Sequence, residues 1–338
     1  MQRIQWIDFA KGAALVFVII SHASATQLNA YLSFGSVPAF FVISGFLLNL
    51  SKWGQAGQFV PFVVKLVKRL IVPFYLAELL WYPLWMLRNA LPGQMYPVLN
   101  PLLPAQEALK GILIGNGALL PLSPLWFLPS LFLAEIIFLA LWRLLRRREL
   151  PFVAAIILCS YLGLELGKVG QLPLNLDIAL TAQILLLAGN MINRFAVAER
   201  LNVFVCAALV GVVWLAINYS GSIDMNMRGY GSRPVLFYAA CVAETLLLVK
   251  LSIVATEFGG AFADVMKYCG KQTMIVLTAH VLVIDCIYEL LRAATGLEYG
   301  QMMTSPTIFV PTLIAATLVP LFVAKQFGQK PLIKYFCV

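Results

Sequence analysis

A lysine and a histidine eleven residues apart, Lys11 and His22, are the first residues of this 338-residue sequence whose types and spacing could do chemistry. The chain has only two histidines, His22 and His280. At about 100° per residue, eleven residues return to within about 20° of the same helical face, about 16.5 Å further along the axis. Asp8 lies within about 40° of that line. A neutral imidazole can serve as general base toward a hydroxyl, and lysine is an ordinary partner for phosphate.

A cation at one end of a helical face and a titratable base one long reach away suit a particular ligand. It has anionic phosphates at one end and a reactive group on a thin arm at the other. Acyl-coenzyme A has that shape. The competing readings are plain ones: Lys11 as a snorkelling, topology-setting residue, and each histidine as a hydrogen-bonded packing residue between helices.

The elements that position these residues follow from composition. The chain is 61% hydrophobic and 12% charged, with a mean hydropathy of +0.88, whereas soluble domains carry about 25% charged residues. That excludes a soluble enzyme. With 22 Phe, 12 Tyr and 7 Trp, disorder is excluded too. The prediction is an all-α polytopic membrane protein, a bundle of about ten transmembrane helices in one domain over 1–338 with no separate soluble domain. A span needs about 20 residues, and lipid-facing backbone must be helical. The spans are placed at 9–28, 34–50, 70–91, 122–142, 150–166, 172–193, 201–220, 234–254, 272–292 and 307–325. Pro38, Pro73, Pro83 and Pro129 then mark kinks or helix ends.

An even number of spans puts both termini on one side. With that side cytoplasmic, Arg88, Lys110, Lys168, Arg228, Arg233 and Arg292 fall outside, and the other 18 of the 24 Lys and Arg fall inside. The asymmetry obeys the positive-inside rule and predicts a multi-pass protein of a bacterial inner membrane with both termini cytoplasmic. It also accounts for the +9 net charge without nucleic acid. Cys159, Cys206, Cys241, Cys269, Cys286 and Cys337 are scattered, with neither metal-like nor disulfide-like spacing.

Two gaps are long. The outer one, 92–121, is punctuated by Pro92, Pro97, Pro101, Pro104 and Pro121, with Pro124 just beyond, and its stretch 106–119 reads as a short re-entrant or interfacial piece. No internal repeat of the secondary-transporter kind is evident. Arg3 and Lys11, the apolar run from Gly12 to Ile20 and Ala23-Ser24-Ala25 have the outline of a secretory signal. The nine spans that follow favour an uncleaved first helix.

Ile7-Asp8-Phe9-Ala10-Lys11-Gly12, running on to Ser21-His22, resembles the start of the acyltransferase 3 family of membrane acyltransferases, whose hallmark is Arg or Lys, ten residues, then His. Four further segments resemble that family in order: Val37-Pro38-Ala39-Phe40-Phe41-Val42-Ile43-Ser44-Gly45-Phe46; Lys65, Lys68 and Arg69 before Pro73; Ser123-Pro124-Leu125-Trp126-Phe127-Leu128-Pro129; and Gly270-Lys271 through Leu277-Thr278-Ala279-His280. The likeness runs from residue 7 to about 282. It departs at Lys11, where arginine is commoner, at Ala39, where leucine is usual, and before His280, where Tyr-Leu-Leu is missing.

The resemblance implies an acyl-CoA-dependent O-acyltransferase with acetyl-CoA as the expected donor and no metal. It implies a hydroxyl acceptor on a sugar of a cell-envelope or exported glycan, as in polysaccharide O-acetylation. Some relatives carry a fused extracytoplasmic domain. This chain stops about a dozen residues after the tenth span, so such a partner is expected as a separate protein. On this reading His22 is the catalytic base, or an acyl-carrying nucleophile in a two-step route. Lys11 contacts coenzyme A phosphates, helped by Lys65, Lys68 and Arg69, which are equally ordinary inside-positive residues. Asp8 orients or neutralises Lys11, or simply suits a helix N-terminus.

Ser44 is expected to hydrogen-bond the thioester or its arm, while Gly45 lets helices approach. Trp126 belongs either to an interfacial aromatic belt or to the acceptor site, to which His280, Asp285 and Glu289 are also assigned. Glu78, Glu135 and Glu244 are further carboxylates within spans. The rival reading is a secondary transporter or flippase for a lipid-linked sugar, with His22, Asp285 and Glu289 as a proton or substrate path. A purely structural subunit leaves the Lys11–His22 spacing unexplained.

Overall fold

The computed structural model describes residues 4–90, 104–117, 124–221, 223–330 and 333–336. Arg3, Pro92, Pro97, Pro101, Pro121, Ser123, Cys337 and the side chain of Arg88, which figure in the sequence reading, lie outside what is described. Among the described residues there is no strand, only one isolated bridge between Asp224 and Gly229.

The helices in chain order are α1 (Gln5–Ala23), α2 (Leu28–Leu32), α3 (Val37–Leu47), α4 (Leu50–Trp53), α5 (Phe59–Leu66), α6 (Val72–Ala90), α7 (Ala105–Leu113) and α8 (Phe127–Leu144). Then come α9 (Glu149–Val169), α10 (Leu176–Thr181), α11 (Gln183–Arg194), α12 (Val203–Ser220) and α13 (Pro234–Phe258). The chain closes with α14 (Ala261–Lys271), α15 (Thr273–Thr295), α16 (Tyr299–Thr304) and α17 (Pro306–Phe327).

Among the described residues eight stretches are long and apolar enough to cross a membrane, α2 and α3 counting together as one, and Pro173–Thr181 with Gln183–Arg194 forms a ninth, bent by 52°. The tenth stretch expected from the sequence is α6. It is helical, but Glu78, two tyrosines and Arg88 lower its hydropathy. Ten spans is therefore an approximate count. The stretch 106–119 reads as a short re-entrant or interfacial piece; α7 occupies its first part, and residues 118–119 lie outside what is described. Hydrogen bonds tie α7 to α6: Tyr75 Oη donates to the Leu113 carbonyl at 3.0 Å and Tyr82 Oη to the Ala105 carbonyl at 2.9 Å.

Between α5 and α6 the chain makes a π-helical turn, Val67–Ile71. Pro73 explains it. Proline has no N–H for the Arg69 carbonyl four residues back, and its ring collides with that carbonyl, so the preceding turn widens. Lys68 and Arg69 sit on the widened turn.

Two seams of close backbone approach hold the bundle, and small residues make both possible. Along α1 and α14, a Cβ on Gly12 would fall 2.1 Å from the Met266 carbonyl oxygen, and one on Gly270 would fall 1.7 Å from that of Asp8. Between α3 and α11, Gly45 faces the Leu186 carbonyl and Gly189 that of Val42 in the same way.

One end of the bundle gathers the start of α1, the ends of α3, α8 and α11, and the start of α9. Asn193 Nδ2 donates to the Phe46 carbonyl at 2.7 Å there, and Arg194 pairs with Glu149 at 2.7 Å. This is the basic end of the bundle. At the far end, buried Asp177 receives Arg228 Nε at 2.9 Å, and Asn175 Nδ2 donates to the Trp126 carbonyl at 3.1 Å.

Candidate active site

The two histidines meet. His22 is half-buried one residue before the end of α1, and His280 is fully buried on α15. His280 Nε2 lies 3.2 Å from His22 Nδ1, and His280 Nδ1 lies 2.9 Å from the Val276 carbonyl oxygen. A carbonyl only accepts, so His280 Nδ1 carries the proton and donates to Val276. With both rings neutral, His280 Nε2 is then an acceptor, and His22 Nδ1–H donates to it. The lone pair of His22 therefore sits on Nε2, the nitrogen turned away from the relay. The Val276 carbonyl thus sets the His280 tautomer, and His22, which also bonds the Val18 carbonyl one turn back, is held beside it by two groups.

The surrounding helices fix the pair. Tyr288 Oη donates to the Ala23 carbonyl, tying the end of α1 to α15. Ala25 N–H donates to the Met303 carbonyl at 3.1 Å, and Trp81 Nε1–H donates to the Thr278 carbonyl at 3.1 Å. These bonds hold α1, α6, α15 and α16 around the two rings.

Lys11 and His22 lie on one unbroken helix, so the eleven-residue spacing does place them on one face. Lys11 is half-buried, and Asp8, one turn before it, is buried at 4% exposure. Asp8 sits in the α1–α14 seam, where its carbonyl oxygen faces Gly270.

A second polar cluster joins α3, the π turn and α8. Ser44 Oγ donates to Glu135 Oε1 at 2.6 Å, and Arg69 Nη2 donates to the same oxygen. The Glu135 side chain is 4% exposed and that of Arg69 is 46% exposed. The carboxylate thus anchors one side of a guanidinium whose other donors remain open. Glu135 was recognisable in the sequence only as a carboxylate within a span; nothing in the local pattern connected it to Ser44 or Arg69. Glu135→Ala removes a charge-assisted acceptor shared by two donors and is expected to destabilise the protein by about 1.5–3 kcal/mol. Thermal melting of the purified protein measures this: Glu135→Gln should recover part of the loss, and unchanged melting of Glu135→Ala would refute the anchoring role.

Lys65 and Lys68 are exposed on the same stretch. Lys65 Nζ lies 5.4 Å from the Trp53 ring centroid, and Lys52 Nζ lies 4.5 Å from it. Partial burial, then the neighbouring Arg69 charge, holds the Lys65 ammonium below the usual lysine pKa, against the opposing pull of Glu135.

The other sequence candidates stand apart from the histidine pair. Trp126 is 6% exposed. Its carbonyl takes the Asn175 and Ser130 hydrogen bonds, and a Cβ on Gly117 would touch its Cβ at 2.9 Å, so it is packed inside rather than laid on an outer surface. Asp285 is buried at 6% exposure, but five residues beyond His280 it is turned about 140° around α15. Glu289 Oε2 accepts from Arg292 Nη2 at 2.9 Å, and Arg292 leans toward the Tyr299 ring. Among the described residues, no three His, Cys, Asp or Glu side chains are grouped as metal ligands.

These features define a class: a multi-pass membrane protein with an oriented imidazole pair in its interior and a cation three turns away on the same helix. Comparison with known families gives the next step. The chain belongs to the acyltransferase domain family Acyl_transf_3, whose model matches residues 4–325, nearly the whole length. No curated protein and no solved structure matches it. The protein is thus a membrane acyltransferase, which sets aside the transporter alternative.

Proposed function

We propose that this acyltransferase moves an acyl group, acetyl in the first instance, from cytoplasmic acyl-CoA to a hydroxyl of a cell-envelope or exported glycan. Its setting in this reading is a bacterial inner membrane, with the basic end facing the cytoplasm. The observation that carries the reading is the His22–His280 hydrogen bond, which leaves the lone pair of His22 on Nε2.

In the direct route His22 Nε2 takes the proton from the acceptor hydroxyl. The oxygen attacks the thioester carbonyl carbon, the C–S bond breaks, and the thiolate recovers the proton from His22 Nε2 to leave as free thiol. While His22 is an imidazolium, its Nδ1–H keeps donating to His280 Nε2, which stabilises the added charge in place. In the two-step route Nε2 itself attacks the thioester carbon and the C–S bond breaks to release the thiolate; the hydroxyl oxygen then attacks the acyl carbon, the N–C bond breaks, and the hydroxyl proton passes to the thiolate. Both routes use the same nitrogen. Lys11 and Arg69 are assigned to the donor's phosphates. Lys65 and Lys68 supply further positive charge beside them, Asp8 orients Lys11, and Ser44, bonded to Glu135, borders the arm. The acceptor hydroxyl is assigned to His22 Nε2; Asp285 and Glu289, turned to other faces of α15 from His280, and Trp126, packed inside, are not placed against it.

The test uses purified protein, acetyl-CoA and a thiol-release assay. Lys11→Ala is expected to raise the donor KM by about tenfold, the scale of one charge-assisted contact, with kcat within about twofold. A variant that changes only insertion or orientation, with KM intact, would return Lys11 to a topology-setting role.

A further inference from the structure

We propose that the turn between α8 and α9 is a phosphate-binding site at the basic end of the bundle. Arg143, Arg146 and Arg147, with Gly54 and Ala56, line an open concavity of about 410 Å³. Among the described residues none of the three arginines forms an ion pair. Arg143 Nη1 donates to the carbonyls of Trp53 at 3.3 Å and Gln55 at 2.7 Å, and Arg147 Nη2 donates to that of Gly54 at 2.7 Å. Each guanidinium has five donors, so these bonds position the two heads and leave donors over. The neighbouring carboxylate, Glu149, is engaged by Arg194 at 2.7 Å. Three cations around one hollow repel each other until an anion enters.

The backbone points the same way. Arg147 N–H bonds the Trp142 carbonyl and Arg146 N–H the Arg143 carbonyl, both at 3.0 Å. That is the helix-ending pattern whose left-handed position is usually glycine. Here Arg146 and Arg147 hold φ of 53° and 60°, a conformation that costs a side-chain-bearing residue free energy and that clusters at ligand sites. Leu144 and Leu150, 76% and 82% exposed, flank the turn. Apolar side chains laid bare on both sides set the arginines at the depth of lipid headgroups, where basic clusters attract anionic lipid.

The chemistry recognised is a phosphate group. Two sources reach this depth: the phosphate end of a coenzyme A donor and the headgroup of an anionic phospholipid. The site stands without the donor reading, since only the first source depends on it.

Arg146→Gly separates binding from structure, because it removes the charge and relaxes the left-handed backbone. Full-length protein in phosphatidylcholine nanodiscs is titrated with coenzyme A. In parallel, phosphatidylglycerol retained from mixed discs is quantified by mass spectrometry. The expected result is a loss of about fivefold in affinity for at least one probe, the worth of one interfacial arginine. Thermal stability should be equal or higher, and Arg146→Lys should restore most of the binding. Loss confined to coenzyme A identifies the donor phosphates; loss confined to phosphatidylglycerol identifies a headgroup. If wild type ignores coenzyme A yet Arg146→Gly loses the lipid, the donor reading fails and this site stands. Unchanged binding of both probes in Arg146→Gly overturns the proposal.

Discussion

The His22→Ala protein is expected to transfer acyl groups about 10²- to 10⁴-fold more slowly than wild type, the range general acid–base catalysis supplies. The size follows from the geometry of the pair. His22 Nδ1 is committed to His280 at 3.2 Å, and His280 in turn to Val276 at 2.9 Å. On the proposed reading Nε2 receives the hydroxyl proton or the acyl group, and no second imidazole can replace it, because the chain's only other histidine is the one beside it. Initial rates of thiol release from acetyl-CoA measure the effect. Replacing His280 separates the two roles. His280→Ala should be slow, whereas His280→Gln, whose amide oxygen can still accept from His22 Nδ1, should regain part of the rate. Equal rates in His280→Ala and wild type would remove the relay.

Gly270→Leu is expected to abolish most of the folded protein. A Cβ at this position would lie 1.7 Å from the Asp8 oxygen, 2.6 Å from its carbonyl carbon and 3.0 Å from the Gly12 nitrogen. All three are backbone atoms of α1, so no side-chain rotation relieves the contact. The helices must part, and α1 carries Asp8, Lys11 and His22 with it. The cost should exceed the about 1–3 kcal/mol of ordinary core overpacking. Size-exclusion profiles and melting of the detergent-solubilised protein report it, with Gly270→Ala expected to lie between wild type and leucine. A leucine variant with wild-type melting and rate would mean the seam is looser than described.

What the sequence disclosed and what it withheld divide along physical lines. Apolar length placed eight of the expected stretches and the bent ninth, because a span must be about 20 residues of nearly continuous hydrophobicity, whereas α6 is helical but too polar to pass that test. The shared face of Lys11 and His22 was legible because both lie on one helix, where spacing alone fixes direction. The role of Gly45 as a point of close approach was legible from its size, and the Leu186 carbonyl does pack against it. The His22–His280 bond was not legible: helical periodicity says nothing about two residues 258 positions apart. One signal was available, that the only two histidines of the chain both fall within spans, where an ionisable group seeks a partner.

The same reason hid Glu135, whose partners Ser44 and Arg69 come from two other helices. The π turn at Val67–Ile71 had a readable cause in Pro73, although the proline alone does not fix how the chain adapts. The bend of 52° near Ala182 has no proline or glycine beside it to announce it. Trp126 illustrates a different limit. Its type allowed an exposed belt, but the packing of residues 115–117 and 175 over it decides burial, and that is tertiary.

The most direct test of the central claim is to measure acetyl-CoA binding and thiol release in one preparation of His22→Ala protein. If His22 does the chemistry while the cations at the basic end hold the donor, binding stays within about twofold of wild type and release falls by at least about a hundredfold. Release at the wild-type rate from a protein without this imidazole would contradict the account outright.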